Sequence, residues 1–150
     1  MRDRVMLLVE DNPRDEELTL LALRKHHLKC EVTIVRDGAE ALDYLFATGA
    51  HAGRDACLLP EVVLLDLKLP KIDGLEVLRR LRADDRTKFL PVVILTASNE
   101  ETDLLGGYDA GCNGYVLKPV DFNQFAEAVR QLALYWLDFN ETPPRTGMIP

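Results

Sequence analysis

Apolar positions along the chain follow two periods in turn. Val5 to Val9, Val62 to Leu65 and Val92 to Leu95 are apolar almost throughout, which predicts strands covered on both faces, as in a parallel sheet. Val32, Ile34 and Val35 predict another strand, interrupted by Thr33, and Tyr115 to Leu117 a short last one. Between these runs the spacing becomes helical. Leu18, Leu21 and Ala22 mark a first helix opened by Pro13, whose missing N–H costs nothing in a first turn. Leu42, Leu45 and Phe46 mark a second, with Asp37 as its cap and Gly49 as its stop. Leu75, Leu78 and Leu81 mark a third, and the stretch from Glu100 to Ala110 a weaker fourth that ends near Gly111. The fifth is the clearest: Phe122, Phe125, Ala126, Val129, Leu132, Ala133 and Trp136 recur at helical spacing behind the cap Asp121. Five βα units joined by right-handed crossovers predict an α/β fold, a doubly wound sheet of five parallel strands.

Two stretches depart from the alternation. Ala50 to Pro60 is a long connection, and the tail from Asn140 carries Pro143, Pro144, Gly147 and Pro150. The expected division is one folded domain over residues 1–139 and an irregular tail over 140–150. The chain has 150 residues, which suits a single domain that buries its own core. A net charge of −7 argues against non-specific nucleic-acid binding and against attraction to anionic membranes. The three cysteines, Cys30, Cys57 and Cys112, have neither disulfide nor zinc spacing and are expected to be free thiols in a reducing compartment. The apolar segment after Arg4 is too short for a secretory or membrane-spanning sequence, so a cytoplasmic location is expected.

In an open α/β sheet, ligands bind beyond the carboxyl ends of the strands. The residues that follow the apolar runs are Glu10 and Asp11, Asp66, Thr96 and Lys118, the last followed by Pro119. Taken singly, each is commonplace: a helix cap, a turn hydroxyl, a surface lysine. All of them, however, fall at the same end of their own strand. Two carboxylates about 4 Å apart repel by roughly 4 kcal/mol even at an effective dielectric near 20. Such a cluster favours a bound cation, and an all-oxygen donor set with retained water suits Mg²⁺. Beside such a cation Asp66 is placed as a nucleophile toward phosphorus, with Lys118 and Thr96 placed to hold phosphoryl oxygens.

The segments LLVEDNPRD, VVLLDLKLPKIDGLEVL, PVVILTAS and GYVLKP together resemble the receiver domain of two-component response regulators, from about Val5 to about Trp136. The resemblance implies a flavodoxin-like (βα)5 fold with strand order 2-1-3-4-5. It implies phosphorylation at Asp66, and Mg²⁺ held by Asp11, Asp66 and the backbone carbonyl of Lys68, with Glu10 acting through water. Thr96 and Lys118 would contact the phosphoryl group, Tyr115 would be the switch aromatic, and Lys118–Pro119 would be a cis peptide. Gly74 is expected to allow a tight turn into the third helix. Lys68 brings a cation two residues past the acceptor, a position linked in this family to phosphoryl lifetime. The long connection, the aromatic fifth helix and the Pro-rich tail are similar to the small response regulators that partner bacterial phytochromes.

The function implied is that of a stand-alone response regulator. A histidine kinase, on this resemblance a bacteriophytochrome, donates a phosphoryl group to Asp66, and the face formed by the fourth helix, fifth strand and fifth helix changes shape. A phosphate sink or relay intermediate is the alternative. No enzyme acting on an external substrate is expected; the protein would catalyse only its own phosphorylation and dephosphorylation. Haloacid-dehalogenase-like phosphatases want a second Asp where Lys68 stands, and the acidic EDNPRDE stretch does not suit a flavodoxin phosphate loop. A receiver degenerate for docking alone would have lost part of the acidic pair, the acceptor or the lysine. Phe122, Phe125, Leu134, Tyr135, Trp136, Leu137 and Phe139 are more apolar groups than one helix face can bury, and a homodimer through Tyr135, Trp136, Leu137 and Phe139 is expected.

Overall fold

The computed structural model describes residues 4–25 and 30–144. Its strands are β1 (Val5–Val9), β2 (Glu31–Val35), β3 (Val62–Leu65), β4 (Val92–Thr96) and β5 (Gly114–Leu117). They alternate with α1 (Pro13–Lys25), α2 (Gly38–Phe46), α3 (Gly74–Ala83), α4 (Glu101–Ala110) and α5 (Phe122–Ala133). The strands form one parallel sheet in the order β2-β1-β3-β4-β5, as expected.

Period-2 alternation within the strands divides the core in two. Leu7, Val9, Val63 and Leu65 face α2 and α3, where Leu42, Leu45, Val77, Leu78 and Leu81 meet them. Met6, Leu8, Val62 and Leu64 face α1 and α5, against Ala22, Leu23, Phe125 and Val129. Each large aliphatic side chain fully buried in this way stabilises the fold by about 1.5–3 kcal/mol before conformational entropy is charged against it.

Helix ends follow local chemistry. Asp37, Asp73 and Asp121 each accept a hydrogen bond from the backbone N–H three residues on, at 2.7, 3.1 and 3.0 Å. Asn12 caps α1 through Arg14 N–H at 2.9 Å, just before Pro13. Gly111 ends α4 with φ 99°, a left-handed conformation that favours glycine. The predicted stop at Gly49 is displaced: α2 ends at Phe46 with Ala47 as its left-handed cap, and Gly49 opens a single 3-10 turn to His51.

Beyond α5 the helix widens into a π-helical segment, Leu134–Phe139, with Asn140 N–H bonded to the carbonyl of Tyr135 at 2.7 Å. This widening corrects one expectation. Phe125, Val129, Ala133 and Leu137 are spaced by four, and in an ideal α-helix such a stripe rotates by about 40° per step. The wider π turn opposes that drift, so Leu137 stays in the core at 6% exposure rather than in an interface. Trp136 is half-buried against the same core, while Tyr135 and Phe139 are 52% and 69% exposed.

Residues 140–144 contain neither helix nor strand, and Thr142 donates to Glu61 at 2.6 Å. The rest of the expected tail, 145–150, lies outside the described residues, as do residues 1–3. Among the described residues, no helix is long and apolar enough to cross a membrane.

Candidate phosphoacceptor site

Strand register builds this site. Val9 lies opposite both Val35 and Leu65, Leu65 opposite Ile94, and Thr96 opposite Leu117. The residues just past the strands continue the ladder. Glu10 N–H bonds the carbonyl of Val35 at 3.0 Å, Asp66 N–H that of Val9 at 3.1 Å, and Lys118 N–H that of Thr96 at 2.8 Å. Backbone pairing thus fixes each chemical group before its side chain makes any contact.

The side chains converge. Glu10, Asp66 and Thr96 are buried, and Asp11 is exposed at the rim. One carboxylate oxygen from each of Glu10, Asp11 and Asp66 lies within 4.8 Å of the others. Opposite oxygens around a cation bound at 2.0–2.1 Å are roughly 4.2 Å apart, so these three could share one hard cation with little movement. The Lys118 ammonium sits at 2.7 Å from Glu10 Oε1, 2.8 Å from Asp66 Oδ2 and 2.8 Å from Asp15 Oδ2. Burial pushes the Glu10 carboxyl up to about 7, and the Asp66 charge adds to the rise although Lys118 opposes it. Burial alone would lower the pKa of Lys118, but hydrogen bonds to Asp15, Asp66 and Glu10 outweigh it and hold the ammonium protonated. The all-oxygen donor set of this cluster fits Mg²⁺ or a similar ion.

The Lys118–Pro119 peptide is trans, which corrects the expected cis bond. Trans is favoured at X–Pro bonds by about 0.5–1 kcal/mol, and with it the Lys118 ammonium still reaches three carboxylates. Gly74 serves a purpose other than the one expected. Its φ is not positive, and the left-handed residue of this loop is Lys71, at φ 68°. A Cβ on Gly74, however, would lie 2.3 Å from the carbonyl oxygen of Asp66. The glycine therefore lets α3 begin directly against the acceptor's backbone.

Lys68 lies beside the cleft. Its N–H donates to Asp66 Oδ1 at 3.3 Å, and its ammonium turns outward to Asp103 at 3.3 Å. Asp103, in the first turn of α4, also accepts from the Ser98 hydroxyl at 2.5 Å. Those contacts, the Ser98 hydroxyl first, hold its carboxyl below the ordinary range. The Tyr115 hydroxyl donates to the Ser98 carbonyl at 2.8 Å. Its ring lies over Gly107, where a Cβ would come within 3.2 Å of it. Asp103 and Ser98 were not singled out from the sequence. Neither was Asp15, although it lies inside the LLVEDNPRD segment. Its place in the first turn of α1, behind the acidic pair, is the sequence signal for such a role.

An acidic cleft, a buried hydroxyl and a paired lysine at the carboxyl edge of a 2-1-3-4-5 sheet define a receiver. The chain belongs to the response regulator receiver domain family, whose model matches residues 6–130. The probable methanogenesis regulatory protein FilR2 of Methanothrix harundinacea is 39% identical over 93% of this chain and 87% of its own length. Response regulator Rcp1 of Synechocystis is 34% identical, with 90% of each chain covered. The Mn²⁺-bound crystal structure of Rcp1 superposes with a TM-score of 0.86 at 33% identity, covering 94% of this chain and 99% of that one. The structure of the bacteriophytochrome response regulator AtBRR is 54% identical, with a TM-score of 0.74, and covers 94% and 100% of the two chains.

Proposed function

We propose that Asp66 accepts a phosphoryl group from the phosphohistidine of a histidine kinase in a Mg²⁺-dependent reaction. One observation carries this reading: the buried Asp66 carboxylate has Lys118 on one oxygen at 2.8 Å and belongs to a three-carboxylate cluster within 4.8 Å. An oxygen of Asp66 attacks phosphorus, the P–N bond breaks, and its electron pair returns to the imidazole, which takes a proton from solvent. Glu10, Asp11, Asp66 and the carbonyl of Lys68 would hold the cation, which supplies positive charge against the phosphoryl oxygens. Lys118 holds a further phosphoryl oxygen, and the Thr96 hydroxyl turns toward the group. Hydrolysis returns the carboxylate and inorganic phosphate, so the protein acts on no external substrate.

Tyr115 reports the change. Its hydroxyl is tied to the Ser98 carbonyl at 2.8 Å, two residues past Thr96, so a shift of that loop passes to α4, β5 and α5. Exposed Leu105, Tyr108, Leu117 and Phe122 on these elements, with Tyr135 and Phe139 on the π-helical segment that follows α5, would form the surface that reads it, through a homodimer or a target protein. The similarity to AtBRR and Rcp1 supports a phytochrome kinase as donor.

The test is incubation with a small phosphodonor and Mg²⁺, followed by intact mass. One added phosphoryl group is expected, lost in Asp66→Asn and on chelation with EDTA. Uptake at the same site and rate in Asp66→Asn would overturn the acceptor assignment.

A further inference from the structure

We propose that Asp15 is a positioning residue that keeps the Lys118 ammonium at the acceptor when a divalent cation occupies the carboxylate cluster. An ammonium has three N–H donors. Here three carboxylates, those of Glu10, Asp15 and Asp66, lie 2.7–2.8 Å from it, and it donates to Asp15 and Asp66. Two of those partners, Glu10 and Asp66, belong to the cluster that a cation would occupy, and Asp15 does not. A divalent ion on Glu10 and Asp66 draws their charge away from Lys118 and repels the ammonium itself. The contact to Asp15 is then the one left to hold Lys118 in place.

Asp15 is built for this task. It lies in the first turn of α1, where its N–H is fixed on the Asn12 side chain at 3.2 Å and its carbonyl accepts from the Thr19 hydroxyl at 2.8 Å. Its side chain is 21% exposed and that of Lys118 only 8%, so water competes little for the pair. The contact also ties α1 to the loop between β5 and α5, segments separated by 103 residues in the chain. It therefore links the helix beside the acidic pair to the residue that would hold the phosphoryl group.

This inference rests on the acceptor reading above, and its test separates the two. Mg²⁺ affinity is measured by calorimetry, and the Lys118 ammonium is followed by ¹⁵N NMR with Mg²⁺ bound, in wild type, Asp15→Asn, Asp15→Glu and Glu17→Gln. Glu17 is an exposed acid on the same helix and controls for net charge. In wild type with Mg²⁺ the ammonium resonance is expected to be sharp and slowly exchanging. In Asp15→Asn it broadens into exchange with water, Mg²⁺ binds about ten-fold more weakly, and phosphorylation by a small phosphodonor at saturating Mg²⁺ slows about ten-fold, the scale of one charge-assisted hydrogen bond. Asp15→Glu recovers part of each effect, and Glu17→Gln shows none. A sharp Lys118 signal with wild-type Mg²⁺ affinity in Asp15→Asn overturns the assignment. Because those two readouts need no phosphodonor, they decide the role of Asp15 even where Asp66 fails as the acceptor.

Discussion

Two lysines flank the acceptor, one in the loop after β5 and one in the loop after β3, and their surroundings differ in nearly every respect. The Lys118 side chain is 8% exposed, with three carboxylates at 2.7–2.8 Å. The Lys68 side chain is 69% exposed, with one carboxylate at 3.3 Å. The same side chain is thus a fixed element of the site in one loop and a solvent-screened arm in the other. Desolvation makes the difference: it makes an unpaired charge costly at Lys118 and leaves it cheap at Lys68.

The comparison can be broken most forcefully at Lys118. Lys118→Met leaves Glu10, Asp15 and Asp66 crowded without a counter-charge. In EDTA at pH 8 it is expected to lower unfolding free energy by about 3 kcal/mol, read by urea denaturation. The loss is pH-dependent, with a definite sign. The Glu10 carboxyl stands at about 7 in the folded protein against an ordinary 4.5, so it favours folding only while protonated. That contribution is complete below 4.5 and is lost as the pH rises through 7. Removing the ammonium raises the Glu10 value further, so the deficit is expected to be smaller at pH 6 than at pH 8. An equal deficit at both pH values would show that Glu10 does not carry it.

Gly74→Ala sharpens the comparison from the other loop. The new Cβ would meet the Asp66 carbonyl at 2.3 Å, so α3 or the acceptor backbone must move. A loss of about 1–3 kcal/mol is expected, together with slower phosphoryl uptake, read by urea denaturation and intact mass. Ordinary stability with unchanged uptake would mean that the acceptor loop gives way freely.

The smallest effect is expected at Lys68. Lys68→Met should leave the urea midpoint where it is, because its ammonium is exposed to water. The variant should instead change the lifetime of the phosphoryl group, measured by its decay after the phosphodonor is removed. A shift of the midpoint in Lys68→Met would place Lys68 in the same class as Lys118.

Much of this molecule was legible in the chain. Strands β1, β3 and β4 announce themselves because burial on both faces demands continuous apolar runs. Caps such as Asp37 and Asp121 are legible because their bonds are local, three residues long. Glu10, Asp11, Asp66, Thr96 and Lys118 stood out because parallel strands of matched register must end on one edge. The departures have a common origin. Gly49 has the residue type of a helix stop, although Ala47 takes the left-handed cap. Hydrophobic spacing sends Leu137 to an interface because a π turn leaves no mark in it. Gly74 suggests backbone freedom, whereas the structure needs its missing Cβ.

Sequence by itself determined which residues form strands, which end of each strand bears the charges, and which aspartate is the acceptor candidate. Those properties depend on local propensity and on a periodicity that pairing only carries across the sheet. Tertiary structure alone decided that Asp15 completes the shell of Lys118, that Lys68 faces Asp103, and that the Lys118–Pro119 bond is trans. Such contacts join groups as much as 103 residues apart. Their geometry depends on how helices settle onto the sheet, and no local pattern encodes that.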